Sequence, residues 1–153
     1  MEVSEYSESK VRAARMLGKR SFSADEIKKR LMKKGDPEEV AQSTVDWLEE
    51  TGLVDDAQYA QAIVRHYCAK GYGPARVKDE LFRRGVPREM WEDALEALDG
   101  AGMESAVDGF LVKKLNGSQD PADLRRAASA LVRRGFSYDQ AKSAVDRHVG
   151  DYE

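Results

Sequence analysis

LFRRGVP, Leu81 to Pro87, sets two arginines ahead of a glycine and a proline, the pattern of one helix stopping and another starting. Fifty residues earlier stands LMKKGDP, Leu31 to Pro37, and fifty residues later LVRRGFS, Leu131 to Ser137. A phrase repeated at a fixed spacing points to stacked units rather than one irregular domain.

Each copy of the phrase closes an amphipathic helix, because Ile27 and Leu31, Val77 and Leu81, and Ala127 and Leu131 stand four apart on one helical face. Gly35, Gly85 and Gly135 then occupy the place where a left-handed turn ends the helix. Ser23 with Glu26 predicts a capping box at the start of the first of these helices. Gly73 with Pro74, and Asp120 with Pro121, predict a cap residue followed by proline at the other two.

A second helix follows in each copy, opened by Pro37, by Pro87, and by Ser137 with Gln140. Its apolar face reads Val40, Thr44, Val45 and Leu48, then Met90, Ala94, Leu95 and Leu98, then the weaker Gln140, Ala144, Val145 and His148. A third helix precedes each pair, over Val11 to Leu17, Tyr59 to Tyr67, and Met103 to Lys114. Gly52 to Asp56 makes the first joint, with Asp55 or Asp56 placed to cap, and DGAG, Asp99 to Gly102, makes the second.

The expected fold is therefore all-α: three tandem three-helix repeats of period 50 in an elongated, curved array. The expected boundaries are a flexible acidic N-terminus at 1–7, repeats at 8–51, 52–99 and 100–149, and a tail at 150–153.

The 153 residues carry a formal net charge of only −3, so no global field draws the chain to nucleic acid or membrane. Charge is patterned instead. From Asp36 to Val64 there are eight acids and no Lys or Arg. Cys68 is the single cysteine, which excludes an intrachain disulfide. The polar, acidic start MEVSEYSESK is unlike a signal peptide, no run of apolar residues is long enough to span a bilayer, and a cytoplasmic protein is expected.

Two readings of the arginine pairs stand side by side. Lys33, Lys34, Arg83, Arg84, Arg133 and Arg134 all complement a helix dipole, worth roughly 0.3 to 1 kcal/mol each, and termination alone could account for them. In the middle copy Arg76, Glu80 and Arg83 form a stripe that Glu80 can neutralise. In the third, Arg125, Arg126, Arg133 and Arg134 have only Asp123 nearby, and such an uncompensated face suits an acidic partner. Tyr72 is likewise open between a contact ring beside Arg76 and a staple against Val77.

The stretches GLVDDAQYA (52–60), GYGPARVKDELFRRGV (71–86) and LVRRGFSYDQAKSAV (131–145) resemble, in order and spacing, the RecX family of regulatory proteins. The resemblance covers nearly the whole chain. It implies a protein without catalysis that binds the RecA recombinase, along or at the end of its filament on single-stranded DNA, and curbs filament growth, ATP hydrolysis, strand exchange and repressor cleavage. It also implies the same fold of three three-helix units. By analogy Gly71, Tyr72, Gly73, Arg76, Leu81 and Gly85 match the family's central motif, and Gly135 with Phe136 its last. Asp36 departs from it, standing where an apolar residue is usual.

The residues that carry the expected contact with the recombinase are Tyr72, Arg76, Arg83, Arg84, Arg125, Arg126, Arg133 and Arg134. No cofactor, metal or catalytic residue is expected: His66 and Cys68 point to different faces, Cys68 lacks a base, and Trp47 and Trp91 border apolar stripes. A monomer is expected, since no extra apolar stripe remains. The competing function classes are a direct nucleic-acid-binding helical repeat and a generic helical scaffold. Near-neutral charge weighs against the first as a freestanding activity.

Overall fold

The computed structural model describes residues 3–97 and 100–150. Leu98, expected as an apolar position, Asp99 of the DGAG joint, and all but the first residue of the expected tail lie outside them. Among the described residues every regular element is helical: α1 Val3–Leu17, α2 Ala24–Lys33, α3 Glu38–Glu50, α4 Asp56–Ala69, α5 Pro74–Arg83, a 3-10 turn Arg88–Met90 running into α6 Trp91–Glu96, α7 Gly100–Leu115, α8 Pro121–Arg133 and α9 Tyr138–Gly150.

The repeated phrase folds the same way three times. Gly35, Gly85 and Gly135 adopt φ of 109°, 71° and 102°. In each copy the glycine N–H donates back three residues and the next N–H back five, to Leu31, Leu81 or Leu131. That pair of bonds is the Schellman closure, and positive φ makes glycine the residue of least strain there. Val86 and Phe136, the residues after the glycine, are buried.

The chain divides into two compact units, Met1–Ala60 with Leu81–Trp91, and Gln61–Glu80 with Glu92–Glu153. In the first, α1, α2 and α3 enclose Ala13, Phe22, Ile27, Leu31, Ala41, Val45, Leu48 and Val54. Thr44, placed on the apolar face, is buried and meets buried Ser9 at 2.8 Å, so its hydroxyl is satisfied. Trp91 is buried, its indole N–H donating to Val86 O at 2.9 Å, while Trp47 packs at the edge of the core. Asp36 pairs with Arg12, which is how a carboxylate holds a place that is apolar in the other copies. The segment expected as a flexible start is helical from Val3 onward, with Tyr6 Oη donating to Ser43 O at 3.4 Å.

In the second unit α7, α8 and α9 enclose Val107, Leu111, Leu115, Ala127, Leu131, Phe136, Ala141, Ala144 and Val145. Helix α7 begins at Gly100, so the second and fourth glycyl positions of DGAG are helical rather than a loop. His148, the last position of the weak apolar face expected for α9, is buried. Gln140 is not on the core face; with Ser137 it makes the reciprocal cap of α9, Ser137 N–H donating to Gln140 Oε1 at 2.8 Å and Gln140 N–H to Ser137 Oγ at 3.1 Å.

Candidate partner interface

A helix leaves its first N–H groups and its last C=O groups without intrahelical partners. In the second unit these orphans satisfy one another. Gly73 N–H donates to Arg134 O at 2.8 Å and Ala75 N–H to Gly135 O at 3.1 Å, so the start of α5 rests on the end of α8. The approach is backbone to backbone: a Cβ on Gly73 would lie 2.5 Å from the carbonyl carbon of Gly135, and one on Gly135 would lie 2.5 Å from Arg76 N. Both glycines are therefore required by contact, and Gly135 by its positive φ of 102° as well.

The first unit has a counterpart. Ser23, which closes its capping box with Glu26 at the start of α2, also donates its hydroxyl to Arg84 O at the end of α5. Ala24 N–H donates to Asp56 Oδ1 at 2.9 Å. Burial raises the Asp56 carboxyl pKa, and that hydrogen bond works in the opposite direction. Asp55 meanwhile caps α4, accepting from Gln58 N–H at 3.1 Å. The acidic run is thus used locally in good part, with Glu38 reaching Lys28 at 3.3 Å as well.

The two arginines of a pair have different surroundings. Arg84 Nη1 donates to Tyr59 Oη at 3.0 Å, and Arg134 Nη1 donates to Lys70 O at 3.1 Å with its guanidinium 4.4 Å from the Phe110 ring and 5.2 Å from that of Tyr72. Arg83 and Arg133, the first of each pair, are exposed. The two residues of a pair thus differ: the second arginine tethers the turn, and the first is exposed. An aromatic in the helix that opens the second and the third repeat, Tyr59 and then Phe110, is the sequence signal for this tether.

Tyr72 is half-buried, its ring 5.8 Å from Tyr67 and 5.5 Å from the Arg76 guanidinium. It is neither a fully open platform nor a simple staple. Arg76 makes no ion pair or hydrogen bond among the described residues, so the expected neutralisation by Glu80 does not reach it; Glu80 itself is buried and engaged elsewhere. The third-copy stripe departs from expectation in the other direction. Arg126 pairs with Asp123, whose carboxyl pKa is lowered by the Ser118 hydroxyl and by that guanidinium. Arg125 and Arg133 are exposed and carry no ion pair among the described residues. Cys68 is buried, which pushes its thiol pKa up and away from reactivity.

Comparison with known proteins places these features in company. Residues 55–95 match the family model described as RecX, second three-helix domain. The chain is 37% identical over 137 residues to the regulatory protein RecX of Xanthomonas axonopodis pv. citri (strain 306), covering 88% of this chain and 83% of that one. It is 38% identical, with the same coverage, to the regulatory protein RecX of Stenotrophomonas maltophilia (strain R551-3). The crystal structure of RecX from Lactobacillus salivarius superposes with a TM-score of 0.88 at 20% identity over 96% of this chain and 98% of that one. A second crystal structure, of regulatory protein RecX, gives 0.79 at 20% identity, over 93% and 72%.

Proposed function

The chain belongs to the RecX family of regulatory proteins, and from that membership we propose that it binds the RecA recombinase, or RecA's filament on single-stranded DNA, and restrains filament growth. Loss of ATP hydrolysis, strand exchange and coprotease activity follows from a shorter filament, with no reaction performed by this chain itself. The observation that carries the reading is similarity at 33–38% identity over most of the chain to proteins named as RecX. The exposed cations Arg125 and Arg133, with Arg83 at the corresponding place in α5, supply charge that an acidic protein surface can meet, and such complementarity governs encounter and register more than bulk affinity. Work in the cytoplasm as a monomer fits this role, and among the described residues no helix is long and apolar enough to cross a membrane.

The test adds the protein to filaments of RecA from the same organism on single-stranded DNA and follows ATP hydrolysis. The expected result is a progressive fall in rate at protein concentrations well below that of RecA. An unchanged rate at several-fold excess over filament ends removes the proposal.

A further inference from the structure

The first and last helices of a repeat meet along a seam, and the two seams α1–α3 and α7–α9 are made from different residues. In α1–α3, Tyr6 Oη donates to Ser43 O at 3.4 Å and Thr44 Oγ1 meets Ser9 Oγ at 2.8 Å. The Lys10 ammonium lies 4.1 Å from the Tyr6 ring and 4.6 Å from that of Trp47. In α7–α9, position for position, Glu104 and Ser143 line one recess together with Val107 and Ala144, and Arg147 pairs with Asp108 at 2.9 Å.

Two half-buried aromatic side chains and a cation between them thus close the first seam, whereas Glu104 and Arg147, at the places of Tyr6 and Trp47, are exposed. Charged ends reach for water where rings lie down over apolar neighbours. What the second seam keeps is a cavity of about 330 Å³, floored by Val107, Leu131, Phe136 and Ala144. Its rim is acidic: Glu104 and Asp139 carry no ion pair among the described residues. An apolar recess with charge at its edge is the form of a protein pocket that receives one aromatic anchor.

We propose that the α7–α9 cleft docks the recombinase, receiving an aromatic side chain of an exposed recombinase segment whose neighbouring lysine or arginine meets Glu104 and Asp139. This docking rests on the regulatory reading of the chain and adds to it a surface and the chemistry of the contact. The occupant's character follows from the two seams. An aromatic ring restores what the first seam has and the second lacks, and a cation beside it complements the two carboxylates. The same carboxylates turn away the phosphates of a nucleic-acid strand.

The experiment compares variants of the full chain in their inhibition of ATP hydrolysis by RecA filaments on single-stranded DNA, with thermal melts and sedimentation of each variant alone. Glu104→Tyr, Asp108→Lys and Arg147→Trp together copy the first seam into the second and fill the cleft. That triple variant is expected to melt no lower than the wild type and to inhibit about tenfold more weakly, as loss of a buried anchor would require. Glu104→Lys with Asp139→Asn leaves the cleft open but removes the acidic rim. Inhibition by this rim variant should fall about threefold at about 50 mM salt and by less at about 200 mM, where screening is stronger. Lys142→Gln, an exposed change on α9 outside the cleft, should inhibit as the wild type does. Undiminished inhibition by the filled variant, or by the rim variant at the lower salt, overturns the docking and leaves the regulatory proposal standing. Self-association of the wild type that the filled variant loses gives the cleft to a second copy and overturns the docking as well. A filled variant that melts lower than the wild type leaves the decision to the rim variant, which does not touch the apolar floor. A wild type that leaves ATP hydrolysis untouched removes the regulatory reading, and the docking falls with it.

Discussion

Asp36 stands where the other two copies of the repeated phrase place buried Val86 and Phe136, and its carboxylate is tolerated only because Arg12 reaches it. The pair is imperfectly served: Arg12 Nε and Asp36 Oδ2 make no hydrogen bond among the described residues. Breaking a buried pair at one end is far more costly than replacing both ends with apolar groups. Arg12→Met is therefore expected to destabilise the first unit by about 2 kcal/mol, a figure reduced from the fully buried case because the Arg12 side chain is 30% exposed. Arg12→Met combined with Asp36→Val, which restores the apolar residue of the other copies, should return to within about 1 kcal/mol of the wild type or exceed it. Urea unfolding of the two variants decides the matter, and equal losses in both would show that the pair is not coupled. The sequence marks Asp36 as anomalous but not Arg12 as its partner, because the two are 24 residues apart and only the packing of α1 against α2 and α3 brings them together. By contrast the pairing of Arg126 with Asp123 was legible in principle, being a spacing of three on one helix.

Helix ends that close on themselves could be read directly, since the donors and acceptors of a cap lie within a few residues of each other. Ser23 with Glu26, Asp120 ahead of Pro121, and Ser137 with Gln140 all cap as their spacing predicts. Ends that close on another helix could not. The second glycine of GYG reads as a cap residue ahead of Pro74, whereas it also lets the start of α5 meet the carbonyls at the end of α8. Glycine content also misled at α7, where DGAG suggested a joint. Burial of Val107, Leu111 and Leu115 holds a helix that propensity alone disfavours, as tertiary packing commonly does. The two kinds of glycine can be separated by substitution. Gly73→Ala places a methyl against backbone that cannot move aside, and is expected to cost about 2 kcal/mol or more. Gly109→Ala, in the interior of α7 with open space around its Cβ, should instead raise stability by about 0.5 to 1 kcal/mol. Thermal melts showing the same sign for both would contradict this assignment.

At the scale of the molecule, the period of the sequence and the boundaries of the compact units differ. The units divide within α4, between Ala60 and Gln61, and within α5, between Glu80 and Leu81. The reason is the end-to-end helix contact, which bonds residues from Gly73 to Ala75 with Arg134 and Gly135, and Ser23 with Arg84. We retain 8–51, 52–99 and 100–149 as proposed repeats of the sequence, knowing that packing groups the middle helices with both neighbours. The same contacts redistribute the arginines. Arg84 and Arg134 are tethers, Arg126 is paired, and Arg125 and Arg133 are the third-copy cations left exposed without an ion pair among the described residues. If the third-copy face meets the recombinase, those two should carry the electrostatics. Arg125→Glu with Arg133→Glu is expected to leave the helical circular dichroism signal intact, because neither side chain is packed, and to weaken inhibition of filament ATP hydrolysis about tenfold. Tenfold corresponds to about 1.4 kcal/mol, a modest demand on two charge reversals opposite an acidic surface. Arg126→Gln, which removes a charge that Asp123 already offsets, should change inhibition less than twofold, as expected of an exposed pair worth little. Measured at about 0.1 M salt, where screening extends over about 10 Å, equal inhibition by the wild type and the double reversal would assign the outward arginines to helix termination alone.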